Sequence, residues 1–213
     1  MPLFSRGGRR VRSSETAEMA SEPMGAPALR ELMAQLGATE DMHFAVLDLA
    51  AAAGDHLQSF RPFSSRFHIA GLAEELSSWH AGEAPSAPDP NELMPLPDDI
   101  PFDVVLAWNL FDHLPDEALL RLAGHLRAHC RTGARLHALV QTGTRMPVDP
   151  GRFRLQEDGG LVWEHRPEPR MDAPRRAQRT LERLLPGFGA HRARLLQNGF
   201  QEYLFVANPT ERH

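Results

Sequence analysis

The sequence predicts an α/β protein: a doubly wound, mostly parallel sheet with helices on both faces, finished by a C-terminal antiparallel hairpin. Three observations carry this expectation. Residues 44–49 are an apolar run that holds Asp48 near its end and leads into an alanine-rich turn. Residues 102–108 (FDVVLAW) are nearly all apolar, as a strand covered on both faces should be. Asn198-Gly199 stands between two apolar-rich runs, 190–196 and 200–207, and Asn-Gly in that setting is a strong hairpin signal.

The elements follow in order. Residues 1–25 are rich in Arg, Ser, Glu, Gly and Pro without an apolar period, and read as a disordered tail. Its Arg6, Arg9, Arg10 and Arg12 suit either a solvated tail or an anionic partner. From 26 to 37, Leu29, Leu32, Met33 and Leu36 fall at helical spacing and Gly37 supplies a stop. After the strand at 44–49, a short helix is expected at 54–60, a weaker strand at 66–70 and a helix at 72–79. Residues 82–101 carry six prolines, which remove ladder donors, so a loop stands where a parallel sheet would want its third strand. After the strand at 102–108, Pro115-Asp116-Glu117 opens a helix: proline suits the first turn, and acids favour the positive end of the helix dipole. Leu119, Leu122, Ala123 and Leu126 make its buried face, Gly133 ends the connection, and a strand follows at 136–141. Runs at 153–155 and 161–163 flank Glu157-Asp158-Gly159-Gly160 and read as a hairpin inserted over 153–166. An amphipathic helix is expected at 173–185. The main domain thus spans 26–209.

Composition narrows the classes. The chain has 213 residues and is 42% hydrophobic, enough for one core. A net charge of −5 argues against a dedicated nucleic-acid binder. All 23 basic residues are Arg, which fits GC-rich codon usage or an arginine-selected anion surface. Cys130 is alone, which excludes an intrachain disulfide and fits a reducing compartment. No apolar run nears the roughly 18 residues of a membrane span, and the N-terminus lacks the apolar core of a secretion signal, so a cytoplasmic protein is expected.

A strand ending in an acid, then a tight turn, then a helix is the nucleotide-cofactor corner of an α/β sheet. Its first segment here is Leu47-Asp48-Leu49-Ala50-Ala51-Ala52-Ala53-Gly54-Asp55. The second marked segment is Phe102-Asp103-Val104-Val105-Leu106-Ala107-Trp108-Asn109-Leu110-Phe111-Asp112-His113-Leu114-Pro115-Asp116. In order and spacing, with the helix, fifth strand and terminal hairpin that follow, these resemble the class I S-adenosylmethionine-dependent methyltransferase family over residues 28–207. The family patterns are L-D-[LV]-G-x-G-x-G and F-D-x-V-x-x-x-x-x-[LF]-E-H-[LV]-x-D.

The resemblance implies a Rossmann-like methyltransferase fold, S-adenosylmethionine as cofactor, and methyl transfer to an unidentified, small-molecule acceptor. Asp48 stands where an acid fixes the glycine loop and the cofactor's amino end, or else caps local amides. Gly54 matches the last loop glycine. Ala50 and Ala52 replace glycines, and a Cβ forced toward positive φ at Ala52 costs roughly 1–2 kcal/mol. Gly71 stands where the family places an acid on both ribose hydroxyls; Glu74 or Glu75 from the next helix can substitute, or can simply face solvent. Asp89 matches the acid near the adenine, or is a plain loop residue between Pro88 and Pro90. Asn109 lies at the C-terminal sheet edge where ligands bind, or caps a turn. His113 occupies the histidine of the Glu-His pair, as a base toward the acceptor or as a structural histidine, and Asp112 stands where Glu is usual.

Other readings remain beside this one. The departures also fit a catalytically silent methyltransferase-fold protein that serves as a binding or regulatory partner of another protein. A nicotinamide enzyme is disfavoured by the absence of G-x-G-x-x-G and by the terminal hairpin. His125 and His129 share a helical face at a spacing that can hold a metal, but without an H-E-x-x-H pattern surface histidines are the simpler reading, and no metal is expected. Cys130 reads as packing rather than nucleophile. Phe153 and Trp163 suit either a lid on an acceptor pocket or edge packing.

Overall fold

The structure is a computed structural model that describes residues 19–39, 42–50, 58–62, 64–80, 89, 92, 94–97, 99–156 and 159–208. The basic cluster at 6–12, Ala52, Gly54 and most of the proline segment lie outside the described residues. Strand β1 (Ala20–Met24) leads into helix α1 (Pro27–Gly37), then β2 (Phe44–Asp48), β3 (Ser64–Ile69) and α2 (Leu72–His80). Residues 58–60 are helical, at the end of the helix expected there. Strand β4 (Phe102–Trp108) follows, with the one-turn α3 (Leu110–His113), α4 (Asp116–His129) and β5 (Cys130–Gln141). Beyond them come β6 (Arg145–Pro147), β7 (Arg152–Leu155), β8 (Leu161–His165), β9 (Arg170–Asp172), α5 (Gln178–Leu184), β10 (Phe188–Leu195) and β11 (Phe200–Ala207).

Six strands make the main sheet, in the order β10-β11-β5-β4-β2-β3. Strands β3, β2, β4 and β5 run parallel, and β11 and β10 join antiparallel. This mixed α/β sheet is Rossmann-like, and the terminal hairpin is the antiparallel pair expected around Asn198-Gly199. The strand composition explains the layout. Val104, Val105, Leu106, Ala107 and Trp108 are all fully buried, so β4 sits in the middle of the sheet. Among the described residues no strand lies between α2 and β4.

A second sheet has the order β1-β8-β7, and a two-stranded ribbon pairs β6 with β9. The second sheet corrects the boundary drawn at residue 25, because Ala20–Met24 is a strand paired with β8. Its sequence, ASEPM, shows no alternation; the order comes from the main chain of β8, with Glu22 opposite Trp163. The helix expected at 173–185 starts only at Gln178. Pro174 disfavours helix at the residue before it, and Arg175 takes a positive φ of 49°. The side chain of Arg176 then turns inward to the carbonyls of Phe111 and Leu114. Strand β5 begins at Cys130 rather than 136, with Gly133 at φ +84° within it. Among the described residues no helix is long and apolar enough to cross a membrane.

Candidate functional site

The chain leaves β2 for its neighbour β3 on one side and leaves β4 for its neighbour β5 on the other. The C-terminal ends of β2 and β4 therefore border a topological switch point, where open α/β sheets hold ligands. Asp48 ends β2 and Asn109 follows β4. The turn after β3 is tied to this edge: the Ala70 amide donates to the Asp48 carbonyl at 2.8 Å, and the Leu72 amide to the Leu49 carbonyl at 2.9 Å.

Asp48 is buried. Its Oδ1 accepts the indole N–H of Trp108 at 2.7 Å and the amide of Ala50 at 3.0 Å. The second bond puts the carboxylate at the entrance to the turn that the sequence marks. Trp108 closes β4 in the left-handed region, at φ 51°, which is unusual for a bulky residue. Asn109 donates from Nδ2 to the Pro150 carbonyl at 2.9 Å, and Trp163 donates to the same oxygen at 3.0 Å. These two bonds pin the 149–151 loop, and with it the second sheet, over the edge of β4.

That sheet presses an aromatic column onto the core. Trp108 stacks on Phe153 with centroids 5.4 Å apart, Phe153 on Trp163 at 6.0 Å, and Trp163 on His165 at 3.6 Å. Their planes agree within 9°, and Phe200 meets Phe153 and Trp163 edge-on. Phe153 and Trp163 are buried, so the structure gives them the packing role and not that of a lid face. Burial holds the His165 imidazole below its ordinary range, with Glu22 opposing that shift.

An open cleft of about 510 Å³ lies beside this column. Among the described residues, Ala73 and Glu74 of α2 line one wall, and Asp149, Arg152, Glu164 and Arg166 line the other. Glu164 accepts from Arg152 at 2.7 Å and Arg154 at 3.4 Å, and the Arg152 bond, the largest influence, keeps its carboxyl below the usual range. Gly71 turns at φ +69°, and a Cβ there would meet nothing within 4 Å. Among the described residues the space beside Gly71 is open, and the carboxylate that α2 brings to the cleft is Glu74, three residues on.

The remaining expected residues fall elsewhere. Ala50 is buried. Asp89 is a half-buried partner of Arg121 on α4, at 3.9 Å. His113 is buried, its Nδ1 has no hydrogen-bond partner, and burial pushes its pKa down to about 3, with nearby His80 adding to the effect. The His80 ring bonds the His113 carbonyl at 3.0 Å. Asp112 accepts the Gln141 amide at 2.6 Å, and burial raises its pKa to about 7. His125 bonds the Met94 carbonyl and His129 bonds the His125 carbonyl; among the described residues no cluster of metal ligands forms. Cys130 is buried, with its thiol pushed up to about 12 by burial. Sequence reasoning missed Trp108, Pro150 and Glu202. The only signal for Glu202 was a lone acid in the otherwise apolar-rich β11.

No family model matches the chain, and no curated protein is significantly similar to it. Solved structures do match. An S-adenosylmethionine-dependent methyltransferase from Clostridium acetobutylicum aligns with a TM-score of 0.53 at 11% identity, covering 86% of this chain and 92% of that one. The S-adenosylmethionine-bound amino pentose methyltransferase CalS10 from Micromonospora echinaspora aligns at 0.52 and 12% identity, covering 86% and 91%. The pyocyanin biosynthetic protein PhzM aligns at 0.49 and 17% identity over 84% of this chain, which spans 54% of that longer protein.

Proposed function

We propose, from the class I S-adenosylmethionine-dependent methyltransferase fold that this chain has, that it transfers a methyl group from S-adenosylmethionine to a small-molecule acceptor. The observation that carries the reading is the open cleft between the first turn of α2 and the second sheet. The residues present fit the cofactor. Gly71 leaves room beside the turn, Glu74 offers a carboxylate for a ribose diol, and Asp48 secures the start of the turn through the Ala50 amide. When bound, S-adenosylmethionine supplies an electrophilic sulfonium methyl. The protein's part is to orient the acceptor, which suits a cleft walled by α2 on one side and the second sheet on the other. We assign no proton transfer to His113: its ring is closed off from solvent, and burial makes it a weak base.

A second reading keeps the fold without catalysis, as a binding or regulatory partner. It is favoured by the internal bonds of Asp48 and Asn109 to Trp108 and Pro150. Calorimetric titration with S-adenosylmethionine and S-adenosylhomocysteine separates the two. Micromolar binding that Asp48→Ala abolishes, with the circular dichroism spectrum unchanged, supports the enzyme. No heat and no thermal stabilisation up to millimolar ligand would overturn it in favour of the silent scaffold.

A further inference from the structure

We infer that Trp108 is the positioning residue of the cofactor corner, acting through Asp48; this rests on the methyltransferase reading above. Three independent features converge on it. Its indole N–H makes a 2.7 Å bond to Asp48 Oδ1, inside a region sealed from water. A bond from a neutral donor to a carboxylate is strong in such surroundings and fixes the acceptor's rotamer. Its backbone sits at φ 51°, a conformation that a bulky side chain holds only when its surroundings impose it. Here the surroundings are visible: Phe153 lies flat against one face of the indole, and His137 meets the ring edge-on at 5.9 Å. The ring can neither rotate away from Asp48 nor slide along the column.

The consequence is directional. Asp48 Oδ1 holds the Ala50 amide as well as the indole, so the indole fixes the oxygen on which the turn begins. A phenyl ring at 108 would keep the stack and remove only the donor. The carboxylate would then be free to take another rotamer, and the start of the turn would lose its reference point. Trp108 touches no reacting atom in this account; it sets the carboxylate that holds the Ala50 amide.

The test compares Trp108→Phe with Phe200→Leu, which disturbs the same column at Phe153 and Trp163, away from the indole of Trp108. In the first variant the dissociation constant for S-adenosylhomocysteine rises about tenfold or more. Phe200→Leu lowers the melting temperature at least as much but keeps that constant within about twofold. A second readout uses the unmodified chain. The indole N–H resonance of Trp108, assigned among the three tryptophans by ¹⁵N spectra of single Phe variants, shifts on saturation with S-adenosylhomocysteine. Equal affinity in Trp108→Phe and the unmodified protein, or an indole resonance that does not move at saturation, overturns the inference while leaving the methyltransferase reading intact. Absence of S-adenosylhomocysteine binding by the unmodified chain overturns both.

Discussion

Asp112 and His113 are neighbours in the chain, both buried, and each is pushed toward its neutral form by burial. Their effects on stability have opposite signs. Asp112 has a folded pKa of about 7 against an ordinary 3.8, so its contribution is greatest at low pH and is lost as pH rises toward 7. His113 has a folded pKa of about 3 against 6.5, so its contribution is complete above 6.5 and is lost as pH falls toward 3. Between about pH 4 and 6.5 the folded pair holds one proton on the acid, whereas the unfolded pair holds one on the imidazole, and the slopes cancel. Asp112→Asn removes half of that balance while its amide oxygen can still accept from Gln141. The variant's unfolding free energy should fall by about 1.4 kcal/mol per pH unit between pH 6.5 and 4, relative to the unmodified protein. Urea denaturation at half-unit steps reads this directly, and parallel profiles for the two proteins would refute it.

Among the elements, helix α1 shows how a distant acid anchors a local structure. The helix begins at Pro27 without a side-chain cap of its own. Glu202, in the middle of β11, supplies one from across the fold: its two oxygens accept the amides of Ala28 and Leu29 at 2.9 and 3.0 Å, and the His137 ring bonds the second at 3.0 Å. Burial alone would raise the Glu202 pKa, but the His137 bond and the two amides outweigh it and the net shift is downward. Its contribution is therefore present above the ordinary glutamate range and is lost as the medium is acidified below it. Glu202→Gln turns one acceptor into a donor facing a backbone N–H, at a cost of about 1–3 kcal/mol. Amide exchange should accelerate at Ala28 and Leu29 more than in β4; equal acceleration in both would mean that Glu202 serves the core rather than the helix. The elements themselves were largely legible, because each rests on local signals: the apolar run of β4, the proline and acids opening α4, Asn-Gly in the terminal hairpin. This anchor was not, because Glu202 and Ala28 are brought together only by the folded sheet. The late start of α5 was hidden for the same reason: Arg176 leaves the helical pattern to reach Asp116 and two carbonyls contributed by other elements.

At the scale of the molecule, two sheets share one seam. The three-stranded sheet reaches the main sheet through the 149–151 loop, where Asn109 and Trp163 converge on the Pro150 carbonyl, and through the aromatic column beneath it. The sequence shows the β7–β8 hairpin but not its partner β1, since pairing between residues some 140 positions apart leaves no local trace. It marks Asp48 and Asn109 as site residues, yet not that Trp108 and Pro150 are what they bond. The seam has one narrow point. Gly151 turns at φ +67°, and a Cβ there would lie 2.5 Å from the Glu164 carbonyl oxygen and 2.7 Å from the His165 Cβ. Both neighbours belong to β8, which is held on its two sides by β1 and β7 and cannot give way. Gly151→Ala must therefore shift the loop and draw the Pro150 carbonyl from two buried donors, a loss of about 3 kcal/mol. The damage should stay on one side of the seam. Amides of residues 20–24 and 152–165 should lose exchange protection, while those of β2, β4, β5 and β11 keep theirs, because the main sheet has its own ladder and core. If protection falls uniformly across both sheets, the second sheet is an integral part of the core rather than a unit fastened to it, and access to the cleft cannot be controlled through this loop alone.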